Sequence, residues 1–335
     1  MNYFEHVRNV FSLEHLPANV RVSRFMARWP FIRRYQRFPV GLGFLPTGGK
    51  FSYQRNGQKH GIQFNGRNLQ FHALYEEHYR NGYELETALL ISTLCRGSSS
   101  FFDIGSNWGY FSLLVASLPD FSGKIFAFEP NPRTFADLTS VIKQTEVSSR
   151  VQACHMGVGR TACELSVAEA DPFNSGLSRL TADGGSGEKI PVKPVDALDF
   201  PAPGMIKIDA EGMELDILAG AVNTLAQAKP FVILENFLDF EAPGKTYATI
   251  DLLEQNSYRT FVPALEFLID GHPVLATYGS NFTPLVERGG IPRLGLVEIS
   301  GGHRFLLPGQ LNLLGVHASR VEELWKLGIS DFGKI

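Results

Sequence analysis

From about residue 85 onward, apolar positions fall into short blocks whose spacing switches back and forth between strand and helix. Residues 100–103, 124–129, 151–154, 205–209 and 231–235 are compact apolar runs of the kind that form buried strands. Helical spacing fills the gaps, over 110–118, 132–143 and 213–225, with Asn131 placed to cap the second of these. A helix at 247–254 and a strand at 258–262 continue the rhythm. Strands joined by crossover helices predict an α/β protein with a mostly parallel sheet and helices on both faces.

Two regions depart from this pattern. Residues 157–203 carry strand-like stretches at 161–167 and 189–195 around a polar Gly/Ser stretch at 174–187, so they predict a β-rich insertion, with Asp183-Gly184-Gly185-Ser186-Gly187 as a surface loop. Before residue 71 the chain reads as an extension. Phe51-Ser52-Tyr53 and Gly61-Ile62-Gln63-Phe64 alternate about Asn56-Gly57, which predicts a hairpin. Residues 72–94 read as helical, with Leu85, Ala88, Leu89 and Ser92 on one face and Gly97 as the stop. Late in the chain, residues 312–316 predict an edge or inserted strand and 321–327 a helix. The expected organisation is an extension over 1–70 and a main domain over 71–335 that contains the insertion.

Charge adds a feature that hydropathy does not show. The net charge is -3, yet residues 16–73 contain no acid and ten basic residues. The rest of the chain is therefore acidic by about thirteen charges. Residues 1–40 interleave arginines with Phe25, Trp29 and Phe31, and Pro30 would open a helix over 31–38. Such a basic amphipathic segment fits three roles: packing on the main domain, contact with an anionic membrane surface through residues 21–38, or contact with a substrate or partner. Three cysteines without metal-ligand spacing fit a reducing compartment. No run approaches the roughly eighteen apolar residues of a membrane span, and the start lacks the pattern of a signal peptide. The expected location is cytoplasmic, with peripheral membrane contact as an extension of that reading.

The chemistry centres on Phe101-Phe102-Asp103-Ile104-Gly105-Ser106-Asn107-Trp108-Gly109-Tyr110, a strand, a tight turn and a helix start. Glycines let the backbone turn and approach a ligand, and free N–H groups at the helix start face it. Glu129 ends the next strand about twenty residues on, the offset at which an acid binds ribose hydroxyls. The Gly105-x-x-x-Gly109 spacing lacks the diphosphate-binding glycines of a dinucleotide site, and fits S-adenosyl-L-methionine better. Asp103, Glu129, Asp209 and Glu235 all fall at expected carboxyl ends of strands, where such sheets bind ligands. Glu211 is placed to open the helix after Asp209.

These motifs, with Phe126-Ala127-Phe128-Glu129-Pro130-Asn131-Pro132 and Ile206-Lys207-Ile208-Asp209-Ala210-Glu211-Gly212, resemble the FkbM family of S-adenosylmethionine-dependent methyltransferases over about residues 85–262. The resemblance implies a Rossmann-like class I methyltransferase sheet and O-methylation of sugars, glycans or glycosylated natural products. Cofactor contacts are expected from Asp103, Gly105, Ser106, Asn107, Gly109, Tyr110, Glu129, Pro130, Asn131 and Asp209. A sugar hydroxyl ionises too weakly to react unaided, so a base or metal is wanted. The candidates are Glu235, Glu211, Asp209 and His155, and the three acids could instead share a divalent ion. The competing readings are a non-catalytic binding or scaffold protein on the same fold, and transfer to a protein or nucleic acid. Nucleic acid is disfavoured by the acidic main domain.

Overall fold

The computed structural model describes residues 2–35, 45–98, 100–169, 178–181 and 188–335. The expected loop at 183–187 and the part of the 31–38 helix beyond Tyr35 lie outside these residues.

Helix α1 (Tyr3–Val10), strand β1 (Phe11–His15) and helix α2 (Ala18–Ala27) precede the expected hairpin of β2 (Gly48–Arg55) and β3 (Gln58–Asn65). Asn56 and Gly57 have φ of 50° and 76°, the paired left-handed conformation of a type I′ turn. Strand β1 lies antiparallel to β2 and completes a three-stranded sheet. Its pairing is non-local, and the five-residue run carried no turn of its own to reveal it.

The main domain begins with α3 (Leu85–Leu94). The expected helix over 72–94 is shorter than its pattern. Residues Leu69–Leu74 and Glu77–Tyr79 are short 3₁₀ helices, and Glu84 in the left-handed conformation interrupts the chain before α3. Next come β4 (Ser100–Ile104), α4 (Tyr110–Ser117), β5 (Lys124–Phe128), α5 (Pro132–Gln144) and β6 (Val151–Cys154). Asn131 caps α5 as expected, its side chain accepting from the Arg133 and Thr134 amides. A four-stranded sheet follows, of β7 (Gly157–Val158), β8 (Cys163–Glu169), β9 (Ser178–Thr181) and β10 (Lys189–Lys193).

Strand β11 (Met205–Ile208) returns to the main sheet. The helix expected over 213–225 is two helices, α6 (Glu214–Ala219) and α7 (Val222–Gln227). The break falls at Gly220, where a Cβ would meet the Gly159 carbonyl at 2.1 Å. Asp196 caps the second helix from outside, accepting from the amides of Asn223 and Thr224 at 2.8 Å each. The remainder comprises β12 (Phe231–Phe237), α8 (Pro243–Gln255), β13 (Tyr258–Ile269), β14 (His272–Ala276), α9 (Phe282–Gly289), β15 (Arg293–Ile299), β16 (Gln310–His317), α10 (Val321–Lys326) and β17 (Ser330–Lys334).

The main sheet has the order β17-β15-β13-β16-β12-β11-β4-β5-β6, with β14 paired to β13. Its five strands from β6 to β12 are all parallel. Strand β16 is the inserted strand, antiparallel to both β12 and β13. This is the expected α/β arrangement, a sheet with a parallel half joined by crossover helices. Alternate strand residues feed two cores, Phe101 with the N-terminal sheet on one face and Phe102 and Ile104 with α6 and α8 on the other.

Trp108 joins the N-terminal sheet to the main domain. It is 2% exposed, stacks on Phe71 with centroids 4.8 Å apart, and meets Phe11 and Phe51 edge-on. Its indole N–H donates to the Gln70 carbonyl at 3.1 Å. Trp108→Ala should cost about 3–5 kcal/mol in urea unfolding. Trp108→Phe should recover much of that loss, whereas an unchanged midpoint for the alanine variant would show that the two parts do not depend on this ring.

Candidate active site

Strand order reverses between β4 and β11, the point in such sheets where a crevice opens at the carboxyl ends. A cavity of about 280 Å³ lies there. Its floor is the turn after β4. The amides of Gly105 and Ser106 both donate to the Phe128 carbonyl at 3.0 Å, which folds the turn over the end of β5. Gly105 has φ +76°, and a Cβ there would lie 1.7 Å from the Asp209 carbonyl oxygen. No other residue fits between these two strand ends. Asn107 and Gly109 are also left-handed, and Gly109 leads directly into α4.

Glu129 locks the turn from the side. Its Oε2 accepts from the Asn107 amide at 3.0 Å and its Oε1 from the Asn131 amide at 2.8 Å. Each oxygen has a further lone pair, and the residue lines the cavity. Burial pushes its carboxyl up to about 7, against the pull of these two amides.

Gly105, Ser106, Asn107, Tyr110, Glu129, Pro130, Asp209, Glu211 and Glu235 all line the cavity. Asp103, Gly109, Asn131 and His155 do not. Asp103 is buried beneath the turn, where its Oδ2 accepts from the Ser112 hydroxyl at 2.6 Å and its Oδ1 has no hydrogen-bond partner. Asn131 acts through its backbone on Glu129. His155 stacks on Phe135 at 4.5 Å, and its Nε2 is buried without a partner, so it faces packing and not the cavity.

Glu211 does not open the next helix as expected. It sits in a left-handed turn with φ 49°, and Glu214 does that work, accepting from the Ala210 and Gly212 amides at 3.2 and 3.1 Å. Helix α4 is flanked at its start by Gly109. Strand β12 continues two residues past Glu235, because β16 pairs with it there.

Several wall residues were not evident from the sequence: Glu84, Lys207, Tyr278 and Gln310. Lys207 is 3% exposed and pairs with Asp209 at 3.0 Å. Burial opposes its charge, but Asp209, Asp103 and Glu84 outweigh that and hold the ammonium above its usual range. Glu84 accepts from the Asn312 amide group at 2.9 Å, and burial raises it to about 7.

Glu235 departs from ordinary carboxylate behaviour. Burial first, and then the charge of Asp209, hold it well above the usual carboxylate range. The Gln310 side chain donates to Glu235 and also to the Tyr278 hydroxyl, which fixes the carboxyl against one wall. Behind them lies Arg304, fully buried. Its guanidinium donates to the Asn236 side chain and carbonyl and to the Pro308 carbonyl at 2.5, 2.7 and 2.8 Å. Asn236 follows Glu235, and Pro308 and Gly309 precede Gln310, so Arg304 clamps both strands at the level of that pair. Among the described residues, no three His, Cys, Asp or Glu side chains are grouped to hold a metal ion.

Residues 103–260 match the family model described as the methyltransferase FkbM domain. Over 140 residues the chain is 29% identical to the hexuronic acid methyltransferase AglP of Haloferax volcanii, a match covering 40% of this chain and 54% of that protein. The chain thus spans about half the length of the curated relative it matches. Similar solved structures include the methyltransferase FkbM of Methylobacillus flagellatus, at 20% identity and TM-score 0.37, covering 58% of this chain and 53% of that one. Another is the O-methyltransferase of Bacillus cereus, at 10% identity and TM-score 0.40, covering 75% and 86%.

Near this wall, Glu86 in α3 is 1% exposed with one oxygen unpartnered, and burial lifts its carboxyl from 4.5 to about 8. The folded chain therefore holds this proton more tightly than the unfolded chain does. The stability this contributes is complete below pH 4.5 and fades as pH rises to about 8. Glu86→Gln should match the native chain near pH 5 and exceed it by roughly 2–4 kcal/mol at pH 8, as read by urea unfolding at both pH values. Equal stability at both would show that Glu86 is ionised in the fold.

Proposed function

We propose that this chain, which carries a methyltransferase FkbM domain over residues 103–260, is an S-adenosylmethionine-dependent O-methyltransferase acting on a sugar hydroxyl. The observation that carries the reading is the cavity at the strand switch, where the Gly105 turn, Glu129 and a wall of carboxyl groups meet.

The residues present fit that cofactor. Glu129 has its two oxygens fixed by backbone amides and turns its remaining lone pairs to the cavity, as a pair of ribose hydroxyls requires. The turn over residues 105–109 brings bare backbone to the floor. Glu84, Asp209, Glu211 and Glu235 place carboxyl groups on the wall, which suits a ligand bearing sulfonium and ammonium groups, because a bound cation favours the ionised form of an acid beside it. When bound, S-adenosylmethionine would supply an electrophilic methyl carbon, to which an acceptor oxygen bonds in line as the carbon–sulfur bond breaks and S-adenosylhomocysteine leaves.

The protein's task is to align the hydroxyl and take its proton. Glu235 is the base in this reading. Gln310 orients its carboxyl, and a bound cation beside it favours the ionised form. Asp209 stays paired with Lys207 and serves as fixed charge. The name of the Haloferax relative, a hexuronic acid methyltransferase, supports a sugar acceptor.

The test is transfer of labelled methyl from S-adenosylmethionine to neutral and uronic glycosides, alongside calorimetry with S-adenosylhomocysteine. Binding should be strong in the native chain, retained in Glu235→Gln and lost in Glu129→Ala. Glu235→Gln should lower kcat by about 10²–10⁴-fold and remove the rise of rate with pH that proton loss from Glu235 imposes. Absence of cofactor binding by the native chain would end the proposal, and undiminished turnover in Glu235→Gln would end the role of that residue.

Arg304→Lys keeps the charge but not the planar fork that spans both strands. It should lower kcat while leaving affinity for S-adenosylhomocysteine within about threefold, because the clamp acts on Glu235 and not on the turn. A variant that loses both equally would make Arg304 a residue of general stability.

A further inference from the structure

The basic N-terminal segment presents a divided outer face. Arg21, Val22 and Phe25 in α2 and Arg28 and Trp29 in the turn that follows it keep helical spacing, and all five are exposed. On a helical projection the arginines occupy one flank of this face, while Val22, Phe25 and Trp29 occupy the other. The opposite side is committed to the protein. Asn19 and Val20 are buried, the Asn19 side chain donates to the Gly66 carbonyl at 2.9 Å, and the Arg24 guanidinium lies 6.0 Å over the Tyr75 ring. The aromatic side chains therefore do not pack on the main domain. Phe25 is 58% exposed, Trp29 53% and Phe31 86%, and the stripe continues into Ile32 and Tyr35.

We propose that this face docks on an anionic lipid bilayer surface. Apolar and aromatic groups left in water beside arginines, in a stretch of sequence without one acid between His15 and Leu74, are what the headgroup region accommodates. The rings enter the boundary with the acyl chains, and the guanidinium groups meet lipid phosphates. Charge alone would serve a nucleic acid backbone equally well, but the aliphatic members of the stripe, Val22 and Ile32, gain nothing from stacking on bases. The face is anchored through Asn19 to Gly66, just past the end of β3, and the chain runs on from there to Gln70 and His72 in the cavity wall. This inference does not depend on methyl transfer.

The test uses the full chain in co-flotation with phosphatidylcholine vesicles, with and without about 30% phosphatidylglycerol, and with a single-stranded oligonucleotide as competitor. The chain should float with the anionic vesicles, and Trp29, the most exposed tryptophan, should shift its emission to shorter wavelength. Arg21→Gln and Arg28→Gln should each weaken anionic binding about fivefold. The double change Phe25→Ser and Trp29→Ser should weaken it at least about tenfold with unchanged circular dichroism, because both side chains are already in water. Failure to float at low salt would overturn the proposal. So would binding that survives the Phe25→Ser, Trp29→Ser change, or full displacement by the oligonucleotide, since either makes the segment a general polyanion site.

Discussion

One buried ammonium makes the acidic crevice possible. Lys207 lies under the wall with Asp209 at 3.0 Å and the Phe111 ring 4.8 Å from its Nζ. Asp103, Asp209 and Glu84 would otherwise face one another in a poorly solvated space, where like charges force protonation or expansion. With the lysine in place one positive charge offsets part of that repulsion. A site of this kind attracts cations, yet two of its acids, Glu84 and Glu129, are held near neutrality by burial. Their charge state is thus set by what occupies the cavity.

The legible part of the sequence was the part in which local and global signals agree. The Gly105 turn, the Asn131 cap and the apolar strands from β4 to β12 each follow from a few adjacent residues. The position of Gly105 under the Asp209 carbonyl could be expected from the motif, but its severity could not, because the clash is between segments a hundred residues apart. Glu211 was misplaced for a related reason: the left-handed turn moves the helix start to Glu214, and a first-turn acid three positions later takes its role.

Other features were not legible because their partners are remote. Gln310 and Tyr278 meet Glu235 only once β16 is inserted beside β12. Arg304 has no charged partner to mark it, only backbone carbonyls and an asparagine. His155, attractive beside the end of β6, is turned into a ring stack. Beyond residue 262, β14 and β15 are antiparallel additions and β17 is an edge strand parallel to β15, and each is placed by a partner strand remote from its own local pattern. Trp108, bulky for its turn, makes sense only beside Phe71 and the hairpin it covers.

The placement of β16 also orders events in time. Strands β12 and β13 are not hydrogen-bonded to each other; β16 separates them and bonds to both. During synthesis β13 emerges well before β16, so it must either wait beside an open slot or pair temporarily with the wrong neighbour. Long-range closures of this type slow folding and leave strand edges uncovered in the interval. The wall bearing Glu235 and Gln310 is accordingly the last portion of the cavity to assemble, and a nascent chain would possess the glycine turn before it possessed the groups opposite.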